Sequence, residues 1–92
     1  LIKTFANKGL EDFFYDGAKQ GIQPKHAQRI GDILDLLDAA TKVEDMRFPG
    51  SGLHQLKGNR KGEWAVKISG NWRITFKFSE GNAYGVDLED YH

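Results

Sequence analysis

Across residues 53–78, apolar and polar positions alternate with a period of two, broken by glycine turns. Trp64, Val66 and Ile68 fall on one side of an extended segment, because successive side chains of a strand point to opposite faces. After Ser69-Gly70-Asn71 the alternation restarts with Trp72, Ile74, Phe76 and Phe78. The other side carries Lys67 on one strand and Arg73, Thr75 and Lys77 on the next. The pattern predicts three strands of an antiparallel sheet with one aromatic, apolar face and one cationic, wet face. A cationic face attracts anions, although lysines on a wet strand also serve solubility alone.

The N-terminal half is organised differently. Ile2-Lys3-Thr4-Phe5 alternates and predicts a short first strand. Asn7 reads as the N-cap of a helix running to about residue 20, with Leu10, Phe13, Phe14 and Ala18 on one face. Gly17 weakens that helix and Gly21 is placed to end it. Pro24 suits the first turn of a second helix, whose stripe is Ala27, Ile30, Ile33, Leu34, Leu37 and Ala40. Arg29, Asp32, Asp35 and Asp38 lie largely on its other side.

Thr41-Lys42-Val43-Glu44 has capping-box spacing and predicts one further helical turn. Phe48-Pro49-Gly50-Ser51-Gly52 reads as a loop and Ser79-Glu80-Gly81-Asn82 as a turn. Residues 83–88 alternate again, with Tyr84, Val86 and Leu88 expected on one face. The order is strand, two helices, then four strands. This is an α+β chain, with two N-terminal helices expected on one face of a mainly antiparallel sheet.

The chain has 92 residues, which predicts one domain spanning 1–92. It has no cysteine, so there is no disulfide framework and no thiolate metal site. No apolar run approaches the roughly 20 residues of a membrane span, and no signal peptide is visible. The expectation is a soluble cytoplasmic protein. Net charge is zero, but it is unevenly spread. Residues 47–78 hold seven Lys or Arg and one acid, Glu63, whereas residues 79–92 hold four acids and no Lys or Arg. A neutral total therefore conceals a basic middle segment, the footprint of a phosphate-binding surface.

The glycine-rich stretches Gly50-Ser51-Gly52 and Gly58-Asn59-Arg60-Lys61-Gly62 lack the Gly-Lys-Ser/Thr ending of a phosphate loop, and no helix follows them. They read as turns. His26, His54 and His92 lack metal-ligand spacing, and neither a metal nor another cofactor is expected. His26 reads as an exposed helix residue. His54 lies three residues before Lys57 in the basic segment, and histidine is the side chain suited to proton transfer near neutrality. A guanidinium at Arg73, on the cationic side, can fork onto a phosphate. By spacing alone, Tyr91 and His92 read as a frayed tail.

Taken in order, these pieces resemble the HigB toxins, a branch of the RelE/ParE superfamily of bacterial toxin–antitoxin systems. The likeness rests on residues 53–62 (Leu-His-Gln-Leu-Lys-Gly-Asn-Arg-Lys-Gly), on Asn71-Trp72-Arg73-Ile74-Thr75-Phe76 and on Asp90-Tyr91-His92. The opening Ile2-Lys3-Thr4-Phe5 and Asp38-Ala39-Ala40-Thr41 extend it over essentially the whole chain.

The resemblance implies a RelE-like fold with a curved sheet and a ribosome-dependent mRNA endonuclease that inhibits translation. It also implies a cognate helix-turn-helix antitoxin of HigA type, through which alone operator DNA is bound. It assigns the catalytic positions to His54, Lys57, Arg73, Asp90, Tyr91 and His92. The implied chemistry is metal-free attack of a ribose 2′-OH on the adjacent phosphate, with His54 and His92 as the acid–base pair. Arg60, Lys61, Lys67 and Lys77 are expected to contact RNA or the ribosome. Glu63 stands where the family often has an aromatic residue and Ala65 where serine is frequent, so Glu63 is expected to lower the local positive potential. Two alternatives stay open: a ParE-like inhibitor that binds DNA gyrase, and an RNA-binding module that does not cleave.

Overall fold

A computed structural model of the chain describes residues 1–91. Helix α1 spans Lys8–Asp16, and the Asn7 side chain caps it by accepting the Leu10 amide at 3.0 Å. The helix stops at Gly17 rather than running to residue 20. Gly17 takes φ 73°, which glycine adopts without a Cβ clash, and its amide reaches the Phe13 carbonyl at 3.0 Å. Gly21, expected as the terminator, has another use. A Cβ there would lie 2.8 Å from the Gly9 Cα, so the connection after α1 folds back against the start of that helix.

The next helix begins as a 3₁₀ turn at Pro24–His26 and continues as α2, Ala27–Ala39. The tighter turn carries His26 inward, against the expectation of an exposed residue. His26 is buried, with its ring edge-on to Trp72 at 6.2 Å between centroids. The turn expected after α2 is a 3₁₀ segment, Val43–Met46. Asp45, not Glu44, accepts the amides of Thr41 and Lys42 (2.9 and 3.3 Å).

Among the described residues, four strands form one antiparallel sheet in the order β1-β2-β3-β4: His54–Gln55, Glu63–Ser69, Trp72–Ser79 and Asn82–Asp90. The predicted opening strand is reduced to two parallel bridges on β4, Ile2 to Ala83 and Phe5 to Val86. The amides of Lys3 and Ala6 donate to the carbonyls of Ala83 and Val86 at 2.7 and 2.8 Å. The Ile2 amide donates to Asp38 Oδ1 at 2.9 Å, which fixes the opening segment to α2.

The apolar alternation of β2 and β3 holds. Val66, Ile68, Ile74 and Phe76 are buried in one core with Leu10, Ile30, Ile33, Leu34 and Leu37 of the helices. Each such aliphatic side chain contributes about 1.5–3 kcal/mol by leaving water. The alternation of β4 does not hold. A register shift opposite residues 75–77 and a positive φ (60°) at Gly85 add one residue to the strand. Ala83 and Val86 are therefore both buried, while Tyr84 is exposed instead of sharing a face with Val86.

Candidate active site

Strand register sets the geometry of the face opposite the core. His54 pairs with Ala65, Ala65 with Thr75 and Thr75 with Asp87. Paired residues project to the same side. Strands lie about 4.8 Å apart, so His54 stands roughly 10 Å from Thr75 across the sheet. The neighbouring row is Lys67, Arg73 and Glu89. Lys67 and Arg73 thus share one face, as the alternation predicted, and the β1–β2 register adds His54 to it.

His54 is exposed, and its Nδ1 lies 3.1 Å from the Gly52 carbonyl oxygen. A carbonyl only accepts, so Nδ1 is the donor, and in the neutral ring Nε2 is the nitrogen that keeps a lone pair. The loop behind His54 is held in place. Arg29 Nη2 donates to the carbonyls of Gly50 and Lys67, each at 3.1 Å, and the Lys67 amide donates to the Ser51 carbonyl at 2.7 Å. Lys57 is exposed just before the Gly58–Arg60 turn, and Lys61, Lys67 and Lys77 are also exposed.

Arg73 is half-buried. Its Nη1 donates to the Gly70 and Trp72 carbonyls at 2.7 and 3.0 Å, and its guanidinium lies 5.6 Å from the centroid of the Tyr91 ring. That distance is within cation–π range. Tyr91 is no frayed end. Its amide donates to the Asn71 carbonyl at 2.8 Å, and its hydroxyl is buried without a hydrogen-bond partner among the described residues. Burial, then the charge of Glu89, pushes the phenol above its usual pKa.

The centre of the face differs from the expected open cationic surface. Arg60, expected as an RNA contact, is held between two carboxylates. Its Nε and Nη2 donate to Glu63 at 3.3 and 2.8 Å, and its Nη1 and Nη2 donate to Glu89 at 2.7 and 2.5 Å. Glu89 Oε2 also accepts the hydroxyl of the buried Thr75 at 2.5 Å. The hydrogen bonds from Arg60 hold the Glu89 carboxyl below its ordinary pKa, and Glu89 and then Glu63 raise that of Arg60. Glu63 therefore does not act as an isolated negative charge. Glu89 was missed in the sequence because it sits in an acidic stretch, and only the pairing of Arg73 with Glu89 reveals its side of the sheet.

Asp90 pairs with Trp72, so strand alternation turns it to the side opposite Arg73 and Glu89. The register does not bring it into the His54 row. His92 lies outside the described residues. Among the described residues, no three or more His, Asp or Glu side chains converge where a metal ion could be held. Cavities of about 460 and 250 Å³ lie along α1 and α2 and include none of the candidate residues.

The fold has a counterpart among solved structures. The YoeB-YefM complex from Staphylococcus aureus contains a chain with a TM-score of 0.60 to this one at 18% identity. The match covers 100% of this chain and 95% of that one, a likeness of fold. Sequence comparison goes further. Residues 3–92 match the HigB-like toxins, described as RelE-like toxins of the type II toxin–antitoxin system HigB, and the chain belongs to that family. It is 41% identical over 92 residues to Endoribonuclease HigB of Proteus vulgaris, with both chains covered in full. It is 29% identical over 93 residues to Toxin HigB-1 of Vibrio cholerae, covering 99% of this chain and 98% of that one.

Proposed function

We propose that the chain is a toxin that cleaves mRNA on the translating ribosome and so stops translation. The observation that carries this reading is the place of the His54 ring. Its Nδ1 donates to the Gly52 carbonyl, which in the neutral ring leaves the Nε2 lone pair for proton transfer, on the same sheet face as Arg73. Family membership and the relative named as an endoribonuclease support it.

RNA cleavage without a metal requires three things. A base takes the proton of the ribose 2′-OH as that oxygen attacks the adjacent phosphorus. Cations stabilise the charge of the phosphorane. An acid then protonates the departing 5′-oxygen. The products are a 2′,3′-cyclic phosphate, or its hydrolysed 3′-phosphate, and a 5′-hydroxyl end. His54 and His92 share the acid and base roles, and Lys57 and Arg73 stabilise the developing charge. Tyr91, beside Arg73, stacks on a base or touches the phosphate. Asp90, which strand alternation turns away from the His54 row, orients the other histidine, His92.

Lys61, Lys67 and Lys77 meet RNA or the ribosome. So small a sheet face has little surface to align RNA for in-line attack, and the decoding site supplies that alignment. The partner that restrains the toxin is a helix-turn-helix antitoxin, and the setting is the cytoplasm. We take 1–92 as one RelE-like unit with both helices on one face of a curved sheet.

Primer extension across a message translated by purified ribosomes tests this reading. We expect new 5′ ends only when ribosomes are present, lost in His92→Ala and reduced about 10²–10⁴-fold in His54→Ala. Intact messages with arrested translation would replace cleavage by occlusion. If translation were untouched as well, gyrase binding would be the next assay.

A further inference from the structure

We propose that Arg60 is a positioning residue: its bridge to Glu63 and Glu89 ties the loop carrying Lys57 to the strand end that presents Tyr91. The inference rests on the nuclease reading for its kinetic consequence and on the structure for the coupling itself.

Arg60 sits in the connection between β1 and β2, three residues after Lys57. That connection is pinned at its base by the Leu56 amide on the Glu63 carbonyl (2.8 Å), but the Gly58–Arg60 turn is a single 3₁₀ turn. Two carboxylates from distant parts of the sheet fix it. Glu63 opens β2, and Glu89 lies 29 residues beyond Arg60, immediately before Asp90, Tyr91 and His92. The guanidinium therefore joins the start of β2 to the end of β4 across the intervening β3. It meets Glu89 through both terminal nitrogens, and Glu89 is anchored to the sheet floor by the Thr75 hydroxyl.

Such a fork is specific to arginine. A lysine ammonium supplies charge but cannot hold two carboxylates in one plane. The assignment also accounts for the charge. Two acids enclose Arg60, so this part of the surface offers a phosphate no net attraction. A 1 Å displacement of a catalytic group can slow chemistry by about 10²-fold, and Arg60 is placed to prevent such a displacement at both ends of the site.

Arg60→Lys separates this role from an RNA contact. For positioning, we expect single-turnover cleavage on ribosomes to fall by about 10- to 100-fold. Ribosome affinity, and its slope against salt, should stay unchanged. For a phosphate contact, lysine would largely preserve the rate, and Arg60→Ala would lower the salt slope by about 0.7. Either of those results overturns the proposal. If Arg60→Lys does not fold, Glu63→Gln, which leaves the Glu89 half intact, decides by rate: a smaller rate loss supports positioning, and an equal or faster rate, as expected of an RNA-contacting arginine set free, overturns it.

Amide NMR of Glu89→Gln tests the coupling without cleavage. Shifts should appear both in residues 57–62 and at Tyr91, and shifts confined to β4 would refute the tie. If the wild type cuts no RNA, the nuclease reading fails while this NMR arm still decides whether the bridge joins the two segments.

Discussion

Replacing Glu89 by glutamine removes one charge from the Arg60 bridge while keeping the side chain's size. The native carboxylate accepts two bonds from Arg60 and one from Thr75. Hydrogen bonds to charged groups contribute about 1.5–3 kcal/mol each, whereas exposed ion pairs give at most about 1 kcal/mol. The Arg60 and Glu89 side chains are 37% and 23% exposed, so the bridge lies between these limits and part of its strength is screened. Glu63 still holds Arg60 in the variant, and the glutamine oxygen still accepts one donor.

The expected loss is about 2 kcal/mol at pH 7, roughly 8–16 °C in Tm for a chain of this size. The pH dependence is specific. The folded-state pKa of Glu89 is depressed, so its stabilisation is present above the unfolded value of about 4.3 and is lost as pH falls through the folded value. The gap between wild type and Glu89→Gln should therefore close in acid. Urea unfolding followed by the fluorescence of Trp64 and Trp72, from pH 7 down to about pH 2.5, measures it. A gap below about 0.5 kcal/mol at neutral pH, or one that is the same in acid, would refute the account of the bridge.

Other outcomes follow from single contacts. Tyr91→Phe removes a buried hydroxyl without a partner and keeps the ring beside Arg73, so stability should hold or rise by about 1 kcal/mol with cleavage little changed, and a large rate loss would give the hydroxyl a direct role. With the phenol pKa raised, wild-type stability should also fall as pH climbs above about 10, and Tyr91→Phe should lose that component in alkaline unfolding curves. Gly21→Ala drives a Cβ onto the Gly9 backbone and should cost about 1–3 kcal/mol in urea unfolding, with wild-type stability counting against the close packing. Lys61→Ala and Lys67→Ala should each weaken ribosome binding and lower its salt slope by about 0.7, and an unchanged slope would remove that lysine from the interface.

The residues whose neighbours are set by local periodicity were legible in the sequence. The Val66, Ile68, Ile74 and Phe76 stripe and the Ile30, Ile33, Leu34 and Leu37 stripe read directly as core. Lys67, Arg73 and Lys77 read directly as one face, whereas the side on which His54 stands came only from the pairing of β1 with β2. Two of the misreadings share a cause, which is that a one-residue change in backbone geometry reverses a side chain. A 3₁₀ turn in place of α-helix buried His26. A positive φ at Gly85 separated Tyr84 from Val86. The contacts of Arg60 were invisible for a different reason, since they join residues 29 positions apart and depend on strand register.

That register also explains how a chain of zero net charge can present a site for an anion. Ala65 and Thr75 lie on the outer face yet are buried. A small domain has little core to spare, so part of its second face is covered too. The Arg60, Glu63 and Glu89 cluster occupies the centre of that face and carries a net charge of −1, with the positive charge enclosed. Lys57, Lys61, Lys67 and Lys77 stand exposed around it, and Arg73 lies half-buried beside Tyr91. A phosphate approaching the sheet is attracted to these outer cations and repelled from the middle. Under the proposed function, this charge arrangement would direct an RNA backbone toward the rim that holds His54 and Arg73 instead of letting it lie across the sheet. Positive charge spread evenly over the face would bind RNA as strongly but in many registers, and in-line attack requires one.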